Sequence, residues 1–212
     1  NIFGVDIDPQ AVEVTKLSLL LKCLEGENAE TIEPVFRLMH ERALPDLDDN
    51  IKCGNSLVAP DFYDPGEFPQ NQDLPDDERR RINAFDWKNA FPGIMKLGGF
   101  NVVIGNPPYV RIQGFARNQI EYFTARYASA TGNFDIYVNF VERGYELLRR
   151  DGQLGLILPN KFLRTDYGEG LRRLLSSRAA VSQIVDFGAH QVFAATTYTC
   201  LLFLRKAHNA TF

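Results

Sequence analysis

Phe100-Asn101-Val102-Val103-Ile104-Gly105-Asn106-Pro107-Pro108-Tyr109 is the stretch whose reading decides the fold. Residues 100–104 form a short apolar, β-branched run, which predicts a strand. Gly98-Gly99 leads into it and Gly105 ends it. A polar, two rigid residues and an aromatic then follow at the strand's carboxyl end. In open α/β sheets ligands bind beyond the carboxyl ends of the strands. A turn accounts for Asn-Pro, but less well for the Pro-Pro-Tyr that it leads into.

Outward from this point, strand-like and helix-like segments alternate. Residues 2–7 are a near-continuous apolar run, as in a strand covered on both faces. Asp8-Pro9 then starts a helix, with Asp at the cap, Pro in the first turn, and Ala11, Val12, Leu17, Leu20 and Leu21 at helical spacing. A second strand is expected at residues 50–53, closed by Gly54. On the other side, residues 135–149 read as an amphipathic helix with Ile136, Phe140, Val141, Tyr145 and Leu148 on one side. Asp151-Gly152 is a turn, residues 153–158 a strand, 171–178 a helix, and 181–187 and 198–205 the last two strands.

This alternation predicts an α/β fold, a mostly parallel sheet with helices on both faces. The segment between the last two strands is too short for a helical crossover, so they are expected to form an antiparallel hairpin at one edge. Residues 60–80 differ: Pro60, Pro65, Pro69 and Pro75 sit in an acidic stretch that ends in Arg79-Arg80-Arg81. They read as an irregular surface loop, and the Arg run as a solvated helix face.

The tetrapeptide suits the methylation of a planar, delocalised amine. The lone pair of such an amine is drawn into its ring or carbonyl, so it is a poor nucleophile. The Asn106 side-chain oxygen and a nearby backbone carbonyl can each accept one N–H bond. Together they pull the nitrogen toward tetrahedral geometry and stabilise the charge that develops on it. Two consecutive prolines hold φ near −65° and leave a carbonyl with no local N–H. Tyr109 is left to stack on the base, and no strong general base is required.

Here the sequence resembles the N6-adenine-specific DNA methyltransferases of the Asn-Pro-Pro-Tyr type. It is most similar to the methyltransferase region of fused, type IIG-like restriction-modification enzymes. Phe85-Asp86-Trp87, Phe91-Pro92, Gly98-Gly99-Phe100, the tetrapeptide and Val110-Arg111 are similar to that subgroup's approach to its active site. The resemblance implies a Rossmann-like class I methyltransferase sheet, S-adenosylmethionine as cofactor, and duplex DNA with a flipped adenine as substrate. It also implies nuclease and target-recognition domains fused in the parent protein.

The same resemblance assigns roles residue by residue. Phe3-Gly4-Val5-Asp6 matches the family's second strand, whose acidic residue, here Asp6, binds the cofactor ribose. Asp8 reads better as a helix cap. Gly54-Asn55-Ser56-Leu57 matches the next cofactor segment; many members have Asp where this chain has Asn55, so the contact would be uncharged. Phe193 matches an aromatic that packs on the flipped adenine opposite Tyr109. Arg111 and Lys161, the latter in Asn160-Lys161-Phe162-Leu163, are candidates for DNA phosphate contacts. Gly132-Asn133-Phe134-Asp135-Ile136-Tyr137 matches a later family segment.

Two departures limit the match. The family's glycine-rich cofactor loop belongs before the strand that opens this chain, and no target-recognition region is present. Residues 1–212 therefore read as a partial, N-terminally truncated catalytic domain with an insert at 58–99, inactive in isolation. Two other readings compete: a protein-glutamine methyltransferase, which shares the tetrapeptide, and a catalytically silent DNA-recognition or assembly subunit.

Bulk properties are compatible with this. The net charge of −4 hides an asymmetry: residues 1–100 carry ten Lys/Arg against nineteen Asp/Glu, residues 101–212 thirteen against eight. A phosphate-facing surface is expected in the second half. Cys23, Cys53 and Cys200 are widely spaced and His40, His190 and His208 form no ligand cluster. No metal is expected, and the thiols read as those of a reduced, cytoplasmic protein. No apolar run approaches the roughly 18–20 residues that span a bilayer.

Overall fold

The computed structural model describes residues 2–25, 46–188 and 198–206. The chain divides into two units: Asn1–Pro60 with Pro75–Phe91, and Asp61–Leu74 with Pro92–Phe212.

In the first unit, β1 (Gly4–Asp6) and β2 (Ile51–Cys53) pair in parallel, with Asp6 opposite Cys53. Between them in sequence runs α1 (Pro9–Leu24), started by the Asp8 carboxylate, which accepts the Gln10 N–H at 2.8 Å. That is the cap read from Asp8-Pro9. The helix buries Val12, while Val14, Leu17 and Leu21 are more than half exposed, so its apolar residues do not share one covered face. Two short helices follow, α2 (Asp76–Ile82) and α3 (Trp87–Ala90). Asp86 caps α3, accepting from the Lys88 and Asn89 amides. Phe3, Phe85, Trp87 and Phe91 form one aromatic cluster, with ring centroids 5.2–6.0 Å apart. Gly54 is required beneath it: a Cβ there would lie 2.3 Å from the Phe85 ring.

The second unit holds α4 (Pro92–Lys96), β3 (Phe100–Gly105), α5 (Arg117–Arg126), α6 (Tyr137–Glu146), β4 (Leu148–Pro159), α7 (Glu169–Ser177), β5 (Val181–Asp186) and β6 (Thr199–Arg205). Its sheet runs β3-β4-β6-β5. β3 and β4 are parallel, and β6 is antiparallel to both β4 and β5. Three strands thus share a direction and β6 alone is reversed. The expected edge hairpin is present, with β5 outermost and β6 tucked against β4. Leu148, Leu154, Leu156 and Leu158 of β4 and Cys200, Leu202 and Leu204 of β6 are buried together with Val141, Leu171 and Leu175 of the helices. Gly99 enters β3 at φ +120°; a Cβ there would lie 2.2 Å from the Leu147 carbonyl oxygen.

Three expectations change. The helix expected to reach residue 149 ends at Glu146, because Phe100 donates to the Leu147 carbonyl and Leu148 pairs with Phe100 as the start of β4. Residues 60–80 are not an irregular loop. Pro60–Tyr63 and Pro69–Asn71 are 3₁₀ turns, and the Arg run ends α2. Buried Phe62 and Phe68 pin the turns against Tyr122, and Arg126 bridges Asp61 and Glu67. Finally, among the described residues of the second unit no helix covers the β3 face that carries Val102 and Ile104, which are 60% and 80% exposed.

Candidate active site

β3 delivers the tetrapeptide as the sequence suggests: Gly105 is the last strand residue and Asn106 follows at the carboxyl end. Pro107 is buried, Asn106 and Pro108 are exposed, and Tyr109 is half-buried. The Tyr109 hydroxyl lies 3.1 Å from Asn106 Oδ1 and 3.3 Å from the Ile157 carbonyl of β4, with one proton to donate to either. The Asn106 amide oxygen faces the Tyr109 hydroxyl in this arrangement. An amide oxygen has two lone pairs, so one remains open to a substrate N–H. Burial pushes the Tyr109 phenol above its ordinary range.

Beyond the tetrapeptide the chain is clamped. Ile136 donates to the Val110 carbonyl at 2.8 Å and Ile112 to the Phe134 carbonyl at 3.0 Å. Arg111 and Asp135 face each other in this short antiparallel bridge, and the Arg111 side chain is exposed. Lys161 is exposed on the 3₁₀ turn Asn160–Leu163, directly after β4. The neighbouring Asn160 amide donates to Asp186 at 2.9 Å, tying the carboxyl ends of β4 and β5 together. Phe193 lies outside the described residues.

In the first unit, Asp6 ends β1 and Asn55 follows the end of the neighbouring β2. The Asp6 carbonyl accepts from Gly54 at 2.8 Å, and its exposed carboxylate accepts from the Asp8 amide through Oδ1. Asn55 Oδ1 accepts from Leu57 and Val58, so the residue does serve a turn. An acidic side chain and a polar amide at the carboxyl ends of adjacent parallel strands fit a ligand that bears hydroxyls and a polar ring. Phe85-Asp86-Trp87 acquires a physical reason here. Ala84 bridges to Asn55, and the Trp87 indole donates to the Ser56 carbonyl at 3.1 Å, so the motif shapes the Gly54-Asn55-Ser56 segment.

Sequence reasoning missed Ile157, whose contribution is a backbone carbonyl, and Tyr167 and Asp186, which lie in no motif that was singled out. Asp186 ends a strand just before Gly188, and that position was the only local signal for it.

Residues 1–193 match the family described as Eco57I restriction-modification methylase. The chain is 38% identical, over its whole length, to the type II restriction enzyme and methyltransferase RM.Eco57I of Escherichia coli, covering 19% of that protein. It is 25% identical over 95% of its length to the adenine-specific methyltransferase PglX of Streptomyces coelicolor, covering 17%. The chain therefore spans about a fifth of these relatives. Among solved structures, it resembles the type ISP restriction-modification enzyme LlaGI (TM-score 0.57, 13% identity, 97% of this chain, 17% of that one). It also resembles the type IIL restriction-modification enzyme MmeI (TM-score 0.56, 11% identity, 98% and 25%). At these identities the likeness concerns the fold alone. With nine-tenths of its residues matched, the chain belongs to the Eco57I restriction-modification methylase family.

Proposed function

We propose that this chain carries the catalytic centre of an adenine-specific DNA methyltransferase that works within a restriction-modification system and takes its methyl group from S-adenosylmethionine. The observation that carries this reading is the Asn106 amide at the carboxyl end of β3, its oxygen fixed by the Tyr109 hydroxyl at 3.1 Å. The names of relatives, a restriction enzyme and methyltransferase and an adenine-specific methyltransferase, support DNA adenine as the acceptor.

Each residue has a role in this reading. Asn106 Oδ1 accepts one hydrogen of the adenine N6 amine through its open lone pair. The Pro107 carbonyl, followed by a residue without an N–H, accepts the other. The two acceptors localise the nitrogen lone pair and stabilise the positive charge that builds on it. When bound, the cofactor supplies an electrophilic methyl on its sulfonium. Asp6 holds its ribose hydroxyls and Asn55 meets its adenine ring. Tyr109 stacks on the extrahelical base, with Phe193 as the opposing face. Arg111 and Lys161 approach the DNA phosphates. The proton leaves to solvent after transfer, so no buried base is needed.

The test is to incubate the full-length protein with tritiated S-adenosylmethionine and either duplex DNA or a protein with an exposed glutamine. Label in the DNA is expected. Label in the protein, with none in the DNA, would reject the reading.

A further inference from the structure

The catalytic loop is held from behind by a chain of hydroxyl groups that the methyl-transfer roles do not use. Tyr137, the first residue of α6, is fully buried, and its ring stands edge-on to Tyr109 with centroids 6.4 Å apart and planes at 79°. Its hydroxyl lies 3.2 Å from that of Tyr167, which in turn donates to Asp135 Oδ2 at 3.3 Å. An ionised carboxylate only accepts and each phenol has one proton, so the donors run in one direction, Tyr137 to Tyr167 to Asp135. Tyr167 is itself fixed. Its carbonyl accepts from the Thr131 hydroxyl at 3.0 Å, and Thr131 accepts from the Gly170 amide at 3.3 Å. Asp135 is the residue whose backbone faces Arg111 in the clamp on the loop. A residue thirty positions beyond Tyr137 thus reaches both the ring behind Tyr109 and the strand segment that clamps residues 110–112.

We propose that Tyr167 is a positioning residue for methyl transfer, acting through Tyr137 and Asp135 to set the ring of Tyr109 and with it the target base. This rests on the reading of Asn106-Pro107-Pro108-Tyr109 as the catalytic loop. Removing the Tyr167 hydroxyl leaves the buried Tyr137 proton without its acceptor, and the ring relieves this by shifting. Misplacement by about 1 Å at a reacting centre lowers rate by up to about a hundredfold.

The experiment measures DNA methylation by the full-length protein with Tyr167→Phe, Tyr137→Phe and both together. Tyr167→Phe is expected to lower kcat about tenfold, with KM for S-adenosylmethionine close to wild type because the first unit is untouched, and with the melting temperature lowered by no more than the few degrees that one unpaired buried hydroxyl costs. The double variant is expected to be no slower than the slower single, since one chain is broken once. Unchanged kcat, or losses that multiply in the double variant, would overturn the proposal. Should Tyr167→Phe fold poorly, Asp135→Asn and Asp135→Ala decide. Asn keeps an acceptor and is expected to retain most of the rate that Ala loses; equal loss in both overturns the proposal. A wild type that methylates no DNA would overturn the reading of the loop and this proposal with it. Wild-type turnover matched by Tyr167→Phe overturns this proposal alone.

Discussion

In the proposed reaction Tyr109 carries two separable loads, a ring that would face the base and a hydroxyl that contacts Asn106. Tyr109→Phe keeps the ring and removes the contacts to Asn106 Oδ1 and Ile157. Turnover on DNA is expected to fall by no more than about tenfold, the worth of one modest hydrogen bond. Tyr109→Ala removes the stack as well, worth about 1–3 kcal/mol, and should cost at least about another fivefold. Equal rates for the two variants in a methyl-transfer assay would remove the ring from the mechanism. At this scale the sequence was legible where a side chain's chemistry is unusual for its place. Asn106 before two prolines has no structural necessity, and Asp8 before Pro9 has an obvious one. It was illegible where the contribution is a backbone atom, as at Ile157, or a partner brought from afar, as Tyr167 is to Tyr137.

Elements were legible by pattern, and their junctions were not. The hairpin of β5 and β6 followed from a connection too short for a crossover. That β6 would insert beside β4 required the pairing itself, Leu158 against Cys200 and Leu154 against Leu204. The end of α6 was misread because Leu148 satisfies both the helical face and the strand start, and only the bond from Phe100 to the Leu147 carbonyl decides between them. The proline-rich segment was misread because proline spacing hid the two phenylalanines that anchor it. The burial of β6 has a measurable consequence. Cys200 is fully buried and its thiol is pushed up to about 11, whereas Cys23 and Cys53 are exposed. At pH 8 a thiol reagent should modify two cysteines quickly and the third only on unfolding. A raised thiol pKa means that the folded state holds its proton longer. Its effect is therefore absent below about pH 9 and lowers stability as pH rises from there toward 11. Three thiols reacting at one rate in the native protein would contradict the placement of β6.

On the scale of the whole chain, charge is divided along the sequence, acidic in residues 1–100 and basic in residues 101–212. Arg111 and Lys161 lie in the basic half, exposed and just beyond the carboxyl ends of β3 and β4. Replacing either by Ala is expected to weaken DNA binding uniformly across sequences and to reduce the salt slope of log K by about one. An unchanged slope for both would place the phosphates elsewhere. Among the described residues no helix is long and apolar enough to cross a membrane. The division into two units was not legible in the sequence, because residues 61–74 and 75–91 leave for different units from within one proline-rich stretch. The proposed reaction depends on one atom, Asn106 Oδ1, and yields one product. The direct measurement is to digest duplex DNA to nucleosides after incubation with S-adenosylmethionine and full-length protein, wild type or Asn106→Ala, and to quantify methylated bases by mass spectrometry. N6-methyladenine from the wild type, reduced about a hundredfold or more in the variant, is the predicted result. Methylated cytosine instead, or equal N6-methyladenine from both proteins, would contradict it.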